Sequence, residues 1–240
     1  MNEAYVTSDL HIEPDGFGLQ FLESFCEEAS NARAILNGDG LNILPHGLGA
    51  WKTTQGYNTI RHFEATVEKY LPLHGLDYVL GNHEGRKSWV EELIQGHPLI
   101  RLHRYLDLQF PGRSGISLVD TYHFEHGHRF TEWRVLSWFA DDIVEWATTN
   151  ALTRRWWYEF SRRMGWMPGS HPRKKEPNEW HGIYLGLVYW DAIRREATYN
   201  VTDVVGHSHI FAYVPTEFGV RVIDCGARRT IKLPLEVKDE

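Results

Sequence analysis

Five short apolar runs in this chain each stop at a small polar group, and this repetition constrains the fold more than any other feature. Residues 4–8 run into Asp9, residues 32–37 into Gly38-Asp39 and residues 76–80 into Gly81-Asn82. Residues 116–124 lead to His126, and residues 202–205 lead to Gly206-His207. Runs this short, bounded by glycine and turn formers, have the length of strands rather than helices. Helical spacing follows each of the first three. Residues 17–30 place Leu19, Leu22, Phe25 and Cys26 on one face, and residues 58–70 and 88–95 read as further amphipathic helices. Strand and helix in alternation predict an α/β sheet with crossover helices, and the crevice beyond the strand C-termini of such a sheet takes ligands.

The remaining segments differ in character. Residues 40–56 read as a Gly-rich loop. After Leu99 short strands dominate as far as His126, and residues 131–200 read mainly as helix, broken in two by Pro168, Pro172 and Pro177. Strands resume at 202–205, 211–214 and 219–224. No internal repeat and no low-complexity tract interrupts the pattern. A chain of 240 residues with 42% hydrophobic content suits one generous domain, 1–240, with the helical stretch 129–200 inserted into it.

Composition excludes several classes. The net charge of -7 gives no general reason to expect a nucleic-acid partner. The two cysteines, Cys26 and Cys225, form no CxxC pair, so two buried thiols are expected rather than a thiolate metal site or a disulfide framework. No apolar run approaches the roughly 20 residues that span a bilayer. No basic stretch followed by an apolar one opens the sequence, so no secretory signal is expected. A soluble cytoplasmic protein follows as the expectation, with peripheral membrane contact through the insertion left open.

The polar groups at the strand ends are of metal-ligand type. In Asp9-Leu10-His11, residues i and i+2 at a strand end point the same way, so a carboxylate and an imidazole can meet one cation. His207-Ser208-His209 repeats the arrangement with two imidazoles. Asp39 sits between glycines that let the backbone turn tightly, and its two oxygens could serve two cations. Asn82 adds a neutral oxygen. Nitrogen and oxygen ligands without thiolate suit manganese, iron, zinc or nickel. Each piece alone is common: a histidine near a strand end is usually a surface or satisfied core residue, and Gly-Asp is usually a turn. The ordered set, each member at a strand end, is not common.

That set resembles the calcineurin-like metallophosphoesterase superfamily, whose pattern is D-x-H, G-D-x-x-[DN], G-N-H-[DE], a later His before Gly, and G-H-x-H. The chain reads Asp9/His11, Gly38-Asp39-Gly40-Leu41-Asn42, Gly81-Asn82-His83-Glu84, His126-Gly127 and Gly206-His207-Ser208-His209. The resemblance spans residues 4 to about 226 apart from the insertion. It implies a four-layered αββα sandwich with the helical insertion as a cap. It implies two divalent metal ions, manganese first among the candidates. The first would be held by Asp9, His11 and His209, the second by Asn82, His126 and His207, with Asp39 bridging both and contributing to catalysis. His128 is an alternative to His126, which is favoured because the family histidine directly precedes Gly. The implied reaction is attack on phosphorus by a hydroxide shared between the metals, with His83 stabilising developing charge or protonating the leaving oxygen. Asn42 stands where many members carry Asp.

Eighty residues separate His126 from His207. Within them Arg154, Arg155, Arg162, Arg163, Arg173, Lys174 and Lys175 face only Glu159, interleaved with Trp156, Trp157, Trp166 and Met167. The stretch reads equally as a solvated hairpin with its tryptophans packed inward and as a cap offering cations to a phosphate and apolar surface to a lipid or base. The layout more distantly resembles the UDP-2,3-diacylglucosamine diphosphatases, whose motifs read Gly-Asn-Arg-Asp and His-Gly-Asp where this chain has Gly-Asn-His-Glu and His-Gly-His. Arg86, His128, Arg154 and Arg155 are the candidate substrate contacts. The expected substrate is a phosphate ester or pyrophosphate of a small nucleotide, sugar-nucleotide or lipid-linked molecule. The alternatives are a DNA or RNA phosphodiesterase using the basic, aromatic insertion, a protein phosphatase, and a non-catalytic scaffold.

Overall fold

The computed structural model describes residues 3–85, 87–111, 119–127, 200–214 and 221–235. The chain opens with β1 (Glu3–Thr7), α1 (Leu19–Glu28) and β2 (Arg33–Asn37). Two single-turn helices follow, α2 (Ile43–His46) and α3 (Leu48–Trp51), then α4 (Thr54–Tyr70), β3 (Leu76–Val79), α5 (Lys87–Ile94) and β4 (Ile100–His103). The second half supplies β5 (Leu106–Pro111), β6 (Val119–Phe124), β7 (Asn200–Val205), β8 (Ala212–Val214), β9 (Arg221–Asp224) and β10 (Ile231–Pro234). These strands form two five-stranded sheets, in the orders β10-β1-β2-β3-β4 and β5-β6-β7-β9-β8.

The first sheet is built from the crossovers that the sequence predicts. β1, β2, β3 and β4 pair in parallel, and the register Thr7↔Leu36 and Leu36↔Tyr78 brings their C-termini to one level. α1 lays Leu19, Leu22, Phe25 and Cys26 against the sheet, and α4 lays Ile60, Phe63 and Val67 beside them. Removing a ring such as Phe63 from this core would cost about 3–5 kcal/mol. On the other face, Val6, Ile35 and Val79 meet Leu108, Phe124 and Val204 of the second sheet in a separate core. In that sheet β6, β7 and β9 run parallel, and the pairs Phe124↔Val204 and Val205↔Asp224 level their C-termini as well.

Among the described residues the structure is therefore mixed α/β with two packed sheets and helices over one of them. The insertion 129–200, save Asn200 in β7, lies outside the described residues. Among the described residues no helix is long and apolar enough to cross a membrane.

Three local readings differ from expectation. The loop 40–56 contains α2 and α3, folded around the buried Trp51, whose indole Nε1 donates to Asn42 O at 3.4 Å. α4 begins four residues early, because Thr53 caps it by accepting from Gly56 N at 3.2 Å. β10 was not expected. It pairs antiparallel with β1 at the edge of the first sheet, the position at which a strand tolerates Pro234.

Candidate metal centre

The C-terminal edges of the two sheets meet, and the turns leaving them are zipped together by backbone. Asp9 N donates to Gly38 O at 3.1 Å, His11 N to Asp39 O at 2.9 Å, and Gly206 N to His126 O at 3.1 Å. Asn37 ties the sheets beneath, donating through Nδ2 to Glu125 O at 3.1 Å and Val204 O at 3.0 Å.

Five residues in these turns occupy left-handed backbone: Asp9 (φ 54°), His11 (48°), Asp39 (50°), His207 (66°) and His209 (61°). Each such residue costs on the order of 1–3 kcal/mol and persists only where its surroundings over-determine it, as at functional sites. The space is correspondingly tight. Gly38 has φ 86°, and a Cβ there would strike the His126 ring; one on Gly81 would strike the Asp39 carboxylate.

Ligand-type atoms converge in three groups, within 4.8 Å of one another in each: Asp9, His11 and His209; Asp39, His126 and His207; and His11, Asp39 and His83. His209 Nε2 lies 3.2 Å from Asp9 Oδ1 and 3.3 Å from His11 Nε2. His126 Nε2 lies 3.1 Å from Asp39 Oδ2 and 3.9 Å from Asp9 Oδ1. Asp39, a member of the second group, also meets His11 of the first in the third group. The residues are sequestered, with Asp9 0%, Asp39 1%, His126 1% and His11 3% exposed.

Among the described residues, Asn82 Oδ1 is buried without a hydrogen-bond partner. A buried polar atom in that state costs about 1–3 kcal/mol, which a bound cation would offset. The donors present, carboxylate, imidazole and amide oxygen, therefore fit divalent metal ions.

The electrostatics agree. Burial alone would raise the carboxyl pKa of Asp39, but His126 and His83 outweigh it and hold the group well below the usual range. Asp9 is likewise lowered, burial being outweighed by His209 and His126. Burial would lower His126, yet Asp39 and then Asp9 carry it up to about 10. His11, buried and beside His83, falls to about 3, so its imidazole is neutral and able to donate a lone pair.

Around these groups lies a layer of supporting side chains. Glu84 accepts from Gly81 N at 2.6 Å, Asp39 N at 3.1 Å, Leu41 N at 3.0 Å and the Tyr78 hydroxyl at 2.6 Å. Burial and the Asp39 charge push Glu84 up to about 7, while its donors favour the ionised form. His83 N donates to Asp39 Oδ1 at 2.9 Å. His83 Nδ1 lies 2.6 Å from Asn42 Oδ1, which can only accept, so the proton sits on Nδ1 and Nε2 is left 3.8 Å from Asp39 Oδ2.

The structure thus brings together Asp9, His11, Asp39, His83, His126, His207 and His209, and places Asn82 in the turn beside them. Arg86, His128, Arg154 and Arg155 lie outside the described residues. Sequence reasoning did not single out Glu84, Tyr78, Asn37, Ser208, Asp224 or Arg228 as site residues. Asp224 carried a usable signal, because it too ends an apolar run, two residues before a glycine.

No family model matches the sequence, and no curated protein matches it. The solved structures include a crystal structure of a dimetal phosphatase from Danio rerio, matched with a TM-score of 0.44 and 11% identity over 95% of this chain and 88% of that chain.

Proposed function

We propose that this protein is a dinuclear metal-dependent phosphoesterase. The observation that carries the reading is the adjacency of two largely buried ligand groups, Asp9/His11/His209 and Asp39/His126/His207, all nitrogen and oxygen donors, linked through the contact of Asp39 with His11. The first cation would be held by Asp9, His11 and His209, and the second by His126, His207 and Asn82, whose buried amide oxygen has no other partner among the described residues. Asp39 would serve both. Two such cations supply activation of water and charge neutralisation on a phosphate.

The chain's own contribution centres on His83. Its ring is 21% exposed, fixed on one side by Asn42 and faced on the other by Asp39. Burial lowers its pKa, so Nε2 starts without a proton; one taken up there from the attacking water would let the ring hold developing charge on a phosphoryl oxygen or pass that proton to the leaving oxygen as the P–O bond breaks. The substrate class we favour is a phosphate ester or pyrophosphate of a small nucleotide, sugar-nucleotide or lipid-linked molecule. Its support is the ordered motif set in the sequence. In this reading the fold is a four-layered αββα sandwich with the helical insertion 129–200 as a cap.

The test uses metal-free protein with Mn²⁺ restored, assayed on p-nitrophenyl phosphate, bis-p-nitrophenyl phosphate, a UDP-sugar and single-stranded DNA. Metal-dependent cleavage is expected on at least one of the first three. Two bound metals with no cleavage of any would sink the catalytic reading and favour a scaffold. Cleavage of DNA alone would replace the small-substrate class with a nuclease.

A further inference from the structure

The first ligand group is assembled from two turns nearly two hundred residues apart, Asp9-Leu10-His11 after β1 and His207-Ser208-His209 after β7. In each, both outer residues are left-handed, and the middle residue lends itself to something else. Leu10 packs in the helix–sheet core, and Ser208 makes hydrogen bonds. One segment, Asp224 to Arg228 at the end of β9, grips both middle residues.

At one end of the segment, Ser208 Oγ donates to Asp224 Oδ2 at 2.6 Å and accepts from Ile210 N at 3.1 Å. Gly226 N donates to Asp224 Oδ1 at 3.0 Å, which fixes the carboxylate. At the other end, Arg228 Nε donates to Leu10 O at 3.3 Å, and Arg228 N donates to Ser8 O at 3.0 Å. The guanidinium lies against two rings, 4.5 Å from the centroid of Phe21 and 4.9 Å from that of Phe17. Ser8 Oγ donates in turn to Asp9 Oδ2 at 2.5 Å and lies 3.1 Å from Gly226 O. Arg228 itself has φ 55°, so the segment carries backbone strain of its own.

We propose that Asp224–Arg228 is a positioning clamp for the first metal site, holding Asp9, His11 and His209 in their ligating geometry through the Leu10 carbonyl and the Ser208 hydroxyl. The inference rests on the reading of those three residues as metal ligands. Left-handed non-glycine residues relax toward ordinary backbone unless held. A turn that relaxes moves both of its outer side chains at once, and supports of this kind typically set metal affinity by 10–100-fold. The grip is also selective. Of the two ligand turns, Arg228 hydrogen-bonds to the one carrying Asp9 and His11, so its loss should weaken the first site and spare the group Asp39/His126/His207. Ser208 lies beside His207 as well, so its loss should reach both.

The experiment titrates the metal-free full-length chain with Mn²⁺, following binding by calorimetry and the spin-coupled dinuclear signal by electron paramagnetic resonance. The wild type should bind two ions and develop the coupled signal. In Arg228→Ala one ion should bind with unchanged affinity and the other about 10–100-fold more weakly, delaying the coupled signal to higher Mn²⁺; Arg228→Lys should fall between. Ser208→Ala, which removes one oxygen, keeps the test alive if Arg228→Ala does not fold, and should weaken binding of both ions. Folded variants that bind two Mn²⁺ with wild-type affinities would overturn the clamp and leave the phosphoesterase reading standing. A wild type that binds fewer than two ions would overturn the reading of the site itself.

Discussion

At the residue scale, Glu84 shows how a single buried group can organise a site without touching what the site binds. Its carboxylate gathers three backbone N–H groups and the Tyr78 hydroxyl, and one of those N–H groups belongs to Asp39, itself left-handed. A glutamine would offer one acceptor oxygen and turn an amide N–H toward donors. Glu84→Gln should therefore cost about 2–4 kcal/mol, the range for one or two buried groups left unsatisfied, read as a lowered urea midpoint with unchanged slope. An unchanged midpoint would mean that the donors find other partners. His83→Ala should behave differently: metal content stays at the wild-type value while kcat falls by about 10²–10⁴, the usual span for a lost acid or charge stabiliser. Loss of metal from that variant would make His83 a ligand. Asp9, Asp39, Asn82, His126 and His207 were legible because each ends an apolar run, and His11 and His209 because they stand two residues on, a pattern that survives without coordinates; His83 was reached only through the family resemblance. Glu84, Asn37 and Ser208 were not, because what they do depends on partners in other turns, and no spacing rule reports such partners.

At the element scale, helices and strands were read to within a few residues wherever a face repeats, as in α1 with Leu19, Leu22 and Phe25. The errors lie where a local contact decides. Thr53 starts α4 early, Trp51 winds α2 and α3 out of an apparent loop, and β10 exists because β1 offers it an unpaired edge. Asp77 on β3 shows a further tie that periodicity does not record. Buried, it accepts from Arg33 on β2 at 2.8 Å and from Arg101 on β4 at 2.8 Å, and it lies 2.9 Å from His103 Nε2. Burial would raise its pKa, but the Arg101 hydrogen bond, Arg33 and His103 prevail and lower it from 3.8. A depressed carboxyl contributes stability above its unfolded pKa and loses it as pH falls through the folded value. Asp77→Asn should thus destabilise the protein by about 2 kcal/mol at neutral pH and flatten its loss of stability below pH 3.8. Superimposed acid-unfolding curves for variant and wild type would show that the three-strand tie contributes nothing.

At the scale of the whole molecule, the candidate centre lies on the seam between the two sheets: Asp9, Asp39 and Asn82 come from one, and His126 and His207 from the other. A cation held there links the halves of the sandwich, so binding and folding share one free energy. The alternation of strand and helix made the first sheet legible. The partnership of β6, β7 and β9 was not, since 75 residues separate β6 from β7 and parallel pairing leaves no local trace. The seam makes a prediction about pH. Without a cation His126 is carried up to about 10 from 6.5, so its contribution to stability is complete below pH 6.5 and is lost as pH rises through 10. Ligation needs the neutral ring, so binding must expel that proton. Between pH 6.5 and 8 the stability that metal adds should then grow by about 1.4 kcal/mol per pH unit, one proton's worth. Thermal unfolding of metal-free and Mn²⁺-loaded protein across that range would read it as a widening gap between the two Tm values. A gap that stays constant would mean that no proton leaves when metal binds, and that His126 is not a ligand.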